Sequence, residues 1–214
     1  KINNKNNNIE AYAFAIFDQQ SDTLIICRDR MGEKPLYYGL DKNHFIFGSE
    51  LKTLLKFKDF KKEIDMQSFN LFLNYGYIPS PKSIFQGIKK LKQGSFLKIK
   101  IKDSNIFELK EENYWNLENI VEIGKSNQYK GSFQDASKDL EEMLENTIKE
   151  QMIADVDLGA FLSGGIDSSL ISTLMQKNRT TKIKTFSIGF ENKKYDEAVY
   201  AKNVSKIIGS DHTE

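Results

Sequence analysis

GAFLSGGIDSS, at residues 159–169, is the most informative segment of this sequence. An apolar run ends at Leu162, two glycines follow, and the pattern beyond them predicts a helix from about Ser168. A strand that turns through glycines into a helix presents free backbone N–H groups at the positive end of the helix, where phosphates bind. Glycine also lets the backbone approach a ligand closely. The segment therefore predicts a phosphate-binding loop in an α/β domain.

Four polar side chains in this loop extend the prediction. The hydroxyls of Ser163, Ser168 and Ser169 can donate hydrogen bonds to a phosphate. A carboxylate beside phosphates requires a cation between them, so we predict that Asp167 binds Mg²⁺. The segment has neither the lysine of a Walker A loop nor the GxGxxG spacing of a dinucleotide fold. The residues alone also allow an ordinary strand–helix turn with a good helix cap.

Downstream of residue 125, predicted strands alternate with predicted helices. Ser132 and Asp135 have the spacing of a capping box before the first helix. Strands separated by helices predict a parallel sheet. We expect no further element after Gly209, a helix stop signal. The predicted strands are 158–162 and 184–190, and the predicted helices are 135–153, 168–176 and 196–208.

Upstream, the pattern is one of strands joined by hairpins. The strands are nearly unbroken apolar runs, which predicts a sheet covered on both faces. Residues 111–134 are polar and without a sustained period, so we expect a linker there. The sequence thus predicts an α+β domain over residues 1–125 and an α/β domain over residues 126–214. The predicted strands are 12–17, 23–27, 37–40, 44–47 and 96–101, and the predicted helices are 50–57 and 67–75.

Composition narrows the class of protein. Lys and Arg number 31 against 30 Asp and Glu, so the chain lacks the basic excess of a nucleic-acid-binding protein. No apolar run approaches the roughly 18 residues of a membrane-spanning helix. The single cysteine, Cys27, excludes an intramolecular disulfide and fits the reducing cytoplasm. It ends an apolar strand, so we predict a buried structural thiol.

The sequence resembles the glutamine-dependent asparagine synthetases over residues 11–214. SGGIDSS, at residues 163–169, is similar to the pyrophosphate loop of the N-type ATP pyrophosphatases. The other matching segments follow in the family's order. They are AFAIFD at 13–18, RDRMGEKPLYY at 28–38, GSELK at 48–52, GYIPSP at 76–81, SIF at 83–85, YW at 114–115, TFSIGF at 185–190 and YDE at 195–197.

This resemblance implies a division of labour between the two domains. Residues 1–125 would be the C-terminal portion of a glutaminase, an incomplete Ntn-hydrolase-like sandwich that releases ammonia from glutamine. Residues 126–214 would open an incomplete, Rossmann-like ATP-pyrophosphatase domain that adenylates aspartate with MgATP. Ammonia would then attack the aspartyl-AMP to give asparagine. The implied partners are small molecules rather than nucleic acid or membrane, and a homodimer of the full-length protein is compatible with the family.

The resemblance also assigns residues to the site. The apolar walls of the ATP pocket would be Leu162 and Ile188. Pyrophosphate and its Mg²⁺ would be bound by the loop residues Ser163, Gly164, Gly165, Asp167, Ser168 and Ser169, with Asp167 as the metal ligand.

Several family residues have no counterpart in the sequence. The family's glutaminase uses an N-terminal cysteine, whereas Lys1 stands first here, and the synthetase's second acidic loop and lysine are absent. We therefore expect a fragment with no complete catalytic site. His212 is a candidate substrate contact, and for residues 28–38 we favour a structural role. A related ATP-dependent amidotransferase or amide ligase with another acceptor, and a non-catalytic remnant, are the alternatives.

Overall fold

A computed structural model describes residues 11–41, 44–102, 105–192, 194 and 196–214. These residues form two compact units, one over residues 11–128 and the other over residues 129–214. The predicted loop residues Lys42 and Asn43, the first residue Lys1 and the motif residue Tyr195 lie outside the described residues. Within the described part, no helix is long and apolar enough to cross a membrane.

The first unit is built from two antiparallel sheets. One has the strand order β1 (Ala13–Asp18), β2 (Thr23–Arg28), β6 (Ser95–Lys102) and β7 (Asn105–Asn113), and the other the order β4 (His44–Gly48), β3 (Tyr37–Asp41) and β5 (Ile88–Lys90). Ile26 of β2, Tyr38 of β3 and Leu97 of β6 belong to one buried cluster, so the two sheets share a core. In chain order the elements are β1 (Ala13–Asp18), β2 (Thr23–Arg28), β3 (Tyr37–Asp41), β4 (His44–Gly48), α1 (Leu51–Leu54), α2 (Met66–Tyr75), β5 (Ile88–Lys90), β6 (Ser95–Lys102), β7 (Asn105–Asn113) and α3 (Leu117–Ser126).

The expectation of a sheet covered on both faces is wrong for β1. This strand lies at the sheet edge, and its Ile16 and Phe17 side chains are 57% and 49% exposed. An apolar run indicates that its side chains favour burial, but it does not show whether a neighbouring element covers them. By contrast, Ile26 and Cys27 in the adjacent strand β2 are fully buried, as the pattern predicts.

The predicted linker over residues 111–134 is also wrong in part. The end of β7 and all of α3 lie within it. Strand β7 carries charged side chains, and Glu108 forms an ion pair with Lys100 of the neighbouring strand at 2.6 Å. Helix α3 begins where the side chain of Asn116 accepts a hydrogen bond from the N–H of Asn119 at 3.2 Å. The charge pair across β6 and β7 and the side-chain cap of α3 stabilise these elements, and the prediction overlooks the short apolar stripe of α3 at Leu117, Ile120 and Val121 within a mostly polar segment.

The second unit contains a parallel sheet of three strands in the order β10-β9-β8, which confirms the predicted sheet type. The predicted capping box is present, because Ser132 Oγ accepts from the N–H of Asp135 at 3.2 Å and the N–H of Ser132 donates to Asp135 at 2.9 Å. The elements are α4 (Phe133–Gln151), β8 (Gly159–Phe161), α5 (Ile166–Lys177), β9 (Lys184–Phe186), α6 (Ala198–Ile208) and β10 (Asp211–Thr213).

Strand β10 contradicts the expectation of no element after Gly209. It pairs in parallel with β9, with Asp211 opposite Lys184 and Thr213 opposite Phe186. Three mostly polar residues give no detectable strand pattern, so only the pairing with β9 reveals this strand. Its position makes β9 the central strand of the sheet, with a neighbour on each side.

Helix α4 packs against α5 in this unit. Ile148 of α4 and Leu174 of α5 belong to one buried cluster, and Lys177 lies 2.9 Å from the carboxylate of Glu145. The apolar side chains of α4 are covered at this end only, because Leu140 and Met143, nearer its N-terminus, are 55% and 65% exposed.

Candidate functional site

The connection from β8 to α5 forms a tight loop. The N–H of Leu162 donates to the carbonyl oxygen of Phe186 at 2.8 Å, which continues the sheet pairing beyond β8, and the Leu162 side chain is 2% exposed. The chain then turns at Gly164, whose φ is +82°. Gly165 is extended and caps α5, which begins at Ile166. The predicted strand–glycine–helix arrangement is therefore present.

The hydroxyls of two serines form hydrogen bonds within the loop. Ser163 Oγ and Ser168 Oγ lie 2.9 Å apart, and the N–H of Gly165 donates to Ser163 Oγ at 3.2 Å. The N–H of Ser163 in turn donates to Ser168 Oγ at 3.3 Å. These bonds hold the two hydroxyls next to the first turn of α5.

The first turn of α5 offers unpaired hydrogen-bond donors. No side chain caps this helix, and among the residues described no acceptor pairs with the N–H groups of Ile166, Asp167 and Ser168. The first N–H groups of a helix lack intrahelical partners and lie at its positive end. An oxyanion could therefore accept hydrogen bonds from several of them together.

Gly164 lies close to helix α6. A β-carbon there would lie 2.6 Å from the Cβ and 2.7 Å from the carbonyl carbon of Tyr200, and 2.8 Å from the backbone nitrogen of Ala201. The absent side chain thus faces α6 rather than open space for a phosphate. Gly164 is required for the turn and for the close approach of the loop to this helix.

Asp167 lies in the first turn of α5 with an exposed side chain. The described residues contain no cluster of three or more His, Cys, Asp or Glu that could enclose a metal. Mg²⁺ at nucleotide sites is commonly held by one or two carboxylates together with phosphate oxygens. A single accessible carboxylate beside free N–H donors fits that manner of binding.

Ser169 does not present its hydroxyl at the loop surface. Its Oγ is buried and has no hydrogen-bond partner among the described residues. Its carbonyl oxygen accepts a hydrogen bond from the hydroxyl of Thr173 at 2.7 Å. The structure therefore separates Ser169 from Ser163 and Ser168, which the sequence grouped with it.

A groove of about 360 Å³ lies beside the loop, within the size range of small-molecule sites. It brings together four predicted site residues, since Leu162, Ser163, Ser168 and Ile188 all line it. Its rim is apolar and open, and Ile188 is 70% exposed. The remaining lining residues, which the sequence analysis did not assign to the site, are Phe161, Phe186, Ser187, Phe190 and Glu197.

His212 lies on β10, next to β9 in the sheet, and its ring contacts residues of β9 and of the segment that follows it. Its Nδ1 is 3.0 Å from the hydroxyl oxygen of Thr185, and its Nε2 is 3.2 Å from that of Ser187. Ser187 lines the groove and His212 does not, so His212 is connected to the space a ligand would fill only through its contact with Ser187. The sequence singled out His212 but contained no signal for these two partners.

In the first unit, Cys27 is the buried structural thiol that the sequence predicts. Its side chain is fully buried, and burial raises the pKa of the thiol to about 11. A protonated thiol away from solvent is a poor nucleophile.

The neighbouring loop is held by Arg28 and Asp29. The buried carboxylate of Asp29 accepts from the N–H groups of Glu33 and Lys34, both at 2.9 Å. The guanidinium of Arg28 donates to the carbonyl oxygens of Gly32 at 2.6 Å and Lys34 at 2.8 Å. These contacts give the start of segment 28–38 a structural role.

Comparison with known proteins identifies both units. The glutamine amidotransferase domain family matches residues 6–115, and the asparagine synthase family matches residues 139–214. A Methanocaldococcus jannaschii protein provisionally named glutamine-hydrolysing asparagine synthetase 2 is 39% identical over 94% of this chain and 38% of its own length. Asparagine synthetase 3 of Bacillus subtilis is 32% identical over 87% of this chain and 30% of its own length.

The chain thus spans about a third of the length of the curated relatives it matches. One domain family covers more than half of the chain and the second covers most of the rest, in the order that the sequence motifs indicated. The chain belongs to the family of glutamine-dependent asparagine synthetases.

Proposed function

We propose that the protein takes part in asparagine synthesis from aspartate, ATP and glutamine-derived ammonia, through aspartyl-AMP. Its family membership and the names of its relatives support this reaction. Residues 126–214 would begin the domain that activates aspartate, and residues 1–125 would belong to the glutaminase. The sequence-based alternatives, another acceptor or a non-catalytic remnant, are separated from this proposal by the experiment below.

The observation that carries the proposal is the loop between β8 and α5. It combines a glycine turn, two positioned serine hydroxyls and three N–H groups at a helix start that have no acceptor within the described part of the chain. Adenylation of a carboxylate releases pyrophosphate, so negative charge develops on that leaving group. Donors fixed in advance are most effective where charge develops, because they need no reorganisation during the reaction.

The groove supports the assignment of residues to the nucleotide, because Leu162, Ile188, Ser163 and Ser168 all line it. Leu162 and Ile188 would provide apolar walls, and Ser163 and Ser168 would provide hydroxyls for the phosphates. Asp167 would hold Mg²⁺ together with phosphate oxygens, and the ion would neutralise charge on the leaving group. Gly164 and Gly165 would form the turn that brings the backbone of the loop close to pyrophosphate. Ser169 would contribute its hydroxyl only after a change of rotamer.

The finer fold assignment is part of this proposal. Two antiparallel sheets with a common core support an Ntn-hydrolase-like sandwich in the first unit. Three parallel strands alternating with α5 and α6 support a Rossmann-like ATP-pyrophosphatase domain in the second. The free, buried thiol of Cys27 is compatible with a cytoplasmic location. A homodimer of the full-length protein stays a prediction.

The proposal is tested by Asp167→Ala in the full-length protein. Aspartate-dependent ATP–pyrophosphate exchange should fall by about 100-fold or more, while glutamine hydrolysis stays close to wild type. Asp155→Ala is the matched control, since Asp155 is also exposed in the same unit but precedes β8 and lies outside the first turn of α5.

Three other results would contradict the proposal. Equal loss of both activities in Asp167→Ala would argue against a local metal ligand. Exchange that needs a carboxylate other than aspartate would favour the amide ligase with another acceptor. Absence of both activities in the wild-type protein would favour the non-catalytic remnant.

A further inference from the structure

Four polar side chains form a continuous hydrogen-bonded relay behind the groove. Ser210 Oγ lies 2.8 Å from Thr185 Oγ1, which lies 3.0 Å from Nδ1 of His212, and Nε2 of His212 lies 3.2 Å from Ser187 Oγ. Thr185 is fully buried, whereas Ser187 is half-buried and lines the groove beside Ile188. The relay therefore ends at the surface that a ligand would contact.

We propose that His212 is a positioning residue that orients the hydroxyl of Ser187 to donate a hydrogen bond to ATP. This inference rests on the proposed function, because it assigns the groove to the nucleotide. A serine hydroxyl rotates among three staggered positions and turns its proton toward whichever acceptor is near. The bond to Nε2 holds Ser187 Oγ in the one position that the structure shows.

The positions of the protons along the relay determine whether the hydroxyl of Ser187 can donate a hydrogen bond to a ligand. A neutral imidazole has one N–H donor and one nitrogen acceptor. When Nε2–H donates to Ser187, Nδ1 accepts from the hydroxyl of Thr185, and Thr185 accepts from Ser210. The proton of Ser187 is then free to donate to an oxygen of the nucleotide. Every member of the relay has a partner in this arrangement, which avoids the cost of an unpaired buried polar group.

The two ring nitrogens of His212 can be tested separately. Asparagine places a polar atom close to the Nδ1 position, so His212→Asn preserves the contact with Thr185 and loses the one with Ser187. Glutamine reaches the Nε2 position, so His212→Gln preserves the contact with Ser187. A merely structural role of the buried Thr185 contact predicts that glutamine is the more harmful change, whereas our proposal predicts the reverse.

The test measures the KM for ATP in aspartate-dependent exchange by the full-length protein. Ser187→Ala and His212→Asn should each raise this KM roughly tenfold, the effect of losing one hydrogen bond. His212→Gln should recover most of the affinity. The KM for aspartate and the glutaminase activity should stay within about twofold of wild type in all variants. The double variant Ser187→Ala with His212→Asn should be no worse than Ser187→Ala alone, since both changes remove the same contact.

The inference would be overturned if the substitutions at His212 and Ser187 changed the KM for ATP independently of each other. If His212→Asn raises the KM further in the Ser187→Ala background, His212 does not act through Ser187. If Ser187→Ala leaves the KM for ATP unchanged while wild-type exchange is normal, this inference fails and the proposed function stands. If the wild-type protein shows no aspartate-dependent exchange, the proposed function fails and this inference falls with it.

Discussion

Gly164 and Gly165 are adjacent in the loop, yet a β-carbon would meet different surroundings at each position. At Gly164 it would overlap the backbone of α6 at a φ of +82°. At Gly165 it would approach only Ser163 Oγ, at 3.3 Å, from an ordinary extended backbone with φ −74° and ψ 167°. The two glycines therefore provide a matched pair of substitutions.

We predict that Gly164→Ala lowers the free energy of unfolding by about 2–4 kcal/mol, because strain at positive φ adds to overpacking against α6. Gly165→Ala should cost less than about 1 kcal/mol. Chemical denaturation of the two variants of the full-length protein, followed by circular dichroism, measures the difference. Equal destabilisation by both changes would show that Gly164 does not pack against α6 as described.

The same positions show how far the site could be predicted from residues alone. The loop motif correctly placed a turn and a helix start, because glycine and serine have local backbone preferences that a sequence displays. The direction in which Gly164 faces depends on α6, about 35 residues further along the chain, and no local pattern contains that information. For the same reason, the sequence could not predict that the hydroxyl of Ser169 is buried or which residues contact His212.

At the level of single elements, the N-terminus of α4 is a well-defined unit. Ser132 and Asp135 each accept from the backbone of the other, and the hydroxyl of Ser132 also donates to the Asp135 carboxylate at 2.7 Å. The side-chain and backbone hydrogen bonds from Ser132 lower the pKa of Asp135 below its ordinary value. A carboxyl group with a depressed folded-state pKa stabilises the fold above its ordinary pKa, near 4, and that contribution is lost as the pH falls through the folded-state value.

We predict that Ser132→Ala speeds hydrogen exchange in the first turn of α4 by about fivefold at neutral pH, through loss of the cap. The difference from wild type should shrink as the pH falls below about 4, where Asp135 becomes protonated. Ser137→Ala is the control, because Ser137 is an exposed residue within α4 whose hydroxyl bonds only to the carbonyl of Phe133. An equal effect of both substitutions would exclude a specific role for the capping box.

The elements that were predicted and those that were missed differ in where their stability originates. Helix α2 ends at a recognisable signal, Gly76 in the αL conformation, and helix α4 begins at one, the capping box. Strand β10 is stabilised by its pairing with β9, and strand β7 by its pairing with β6. Local signals are visible in a sequence, whereas pairing with a distant strand is not.

At the scale of the whole chain, large apolar side chains lie in solvent in both units. In the first unit, Phe72 and Leu73 of α2 are 47% and 65% exposed. In the second unit, Leu140 and Met143 form an exposed part of α4, and Phe161 at the end of β8 is 82% exposed. Exposed apolar patches of this kind promote self-association.

We predict that residues 1–214 expressed alone aggregate or bind the dye ANS strongly, because these side chains have no cover within the described residues. Size-exclusion chromatography and ANS fluorescence measure both properties. Leu140→Lys with Met143→Lys should increase solubility, and replacing the already exposed polar residues Lys138 and Glu142 with other polar residues is the control. A monodisperse monomer with a sharp thermal transition would contradict the prediction.

The central position of β9 has a consequence for the order of events during synthesis. Leu162 bonds to Phe186 on one side of this strand, and the N–H of Ser187 donates to Thr213 on the other at 3.0 Å. Roughly fifty residues therefore have to leave the ribosome after Leu162 before the strand has both neighbours, which takes several seconds at about 5–20 residues per second. For most of that interval Gly164 has no α6 to pack against, and the contact of Ser187 with His212 forms only at its end. If the loop binds ATP as proposed, a nascent chain carries the loop sequence well before the sheet beside it is complete, and we expect nucleotide binding to develop only after Thr213 has left the ribosome.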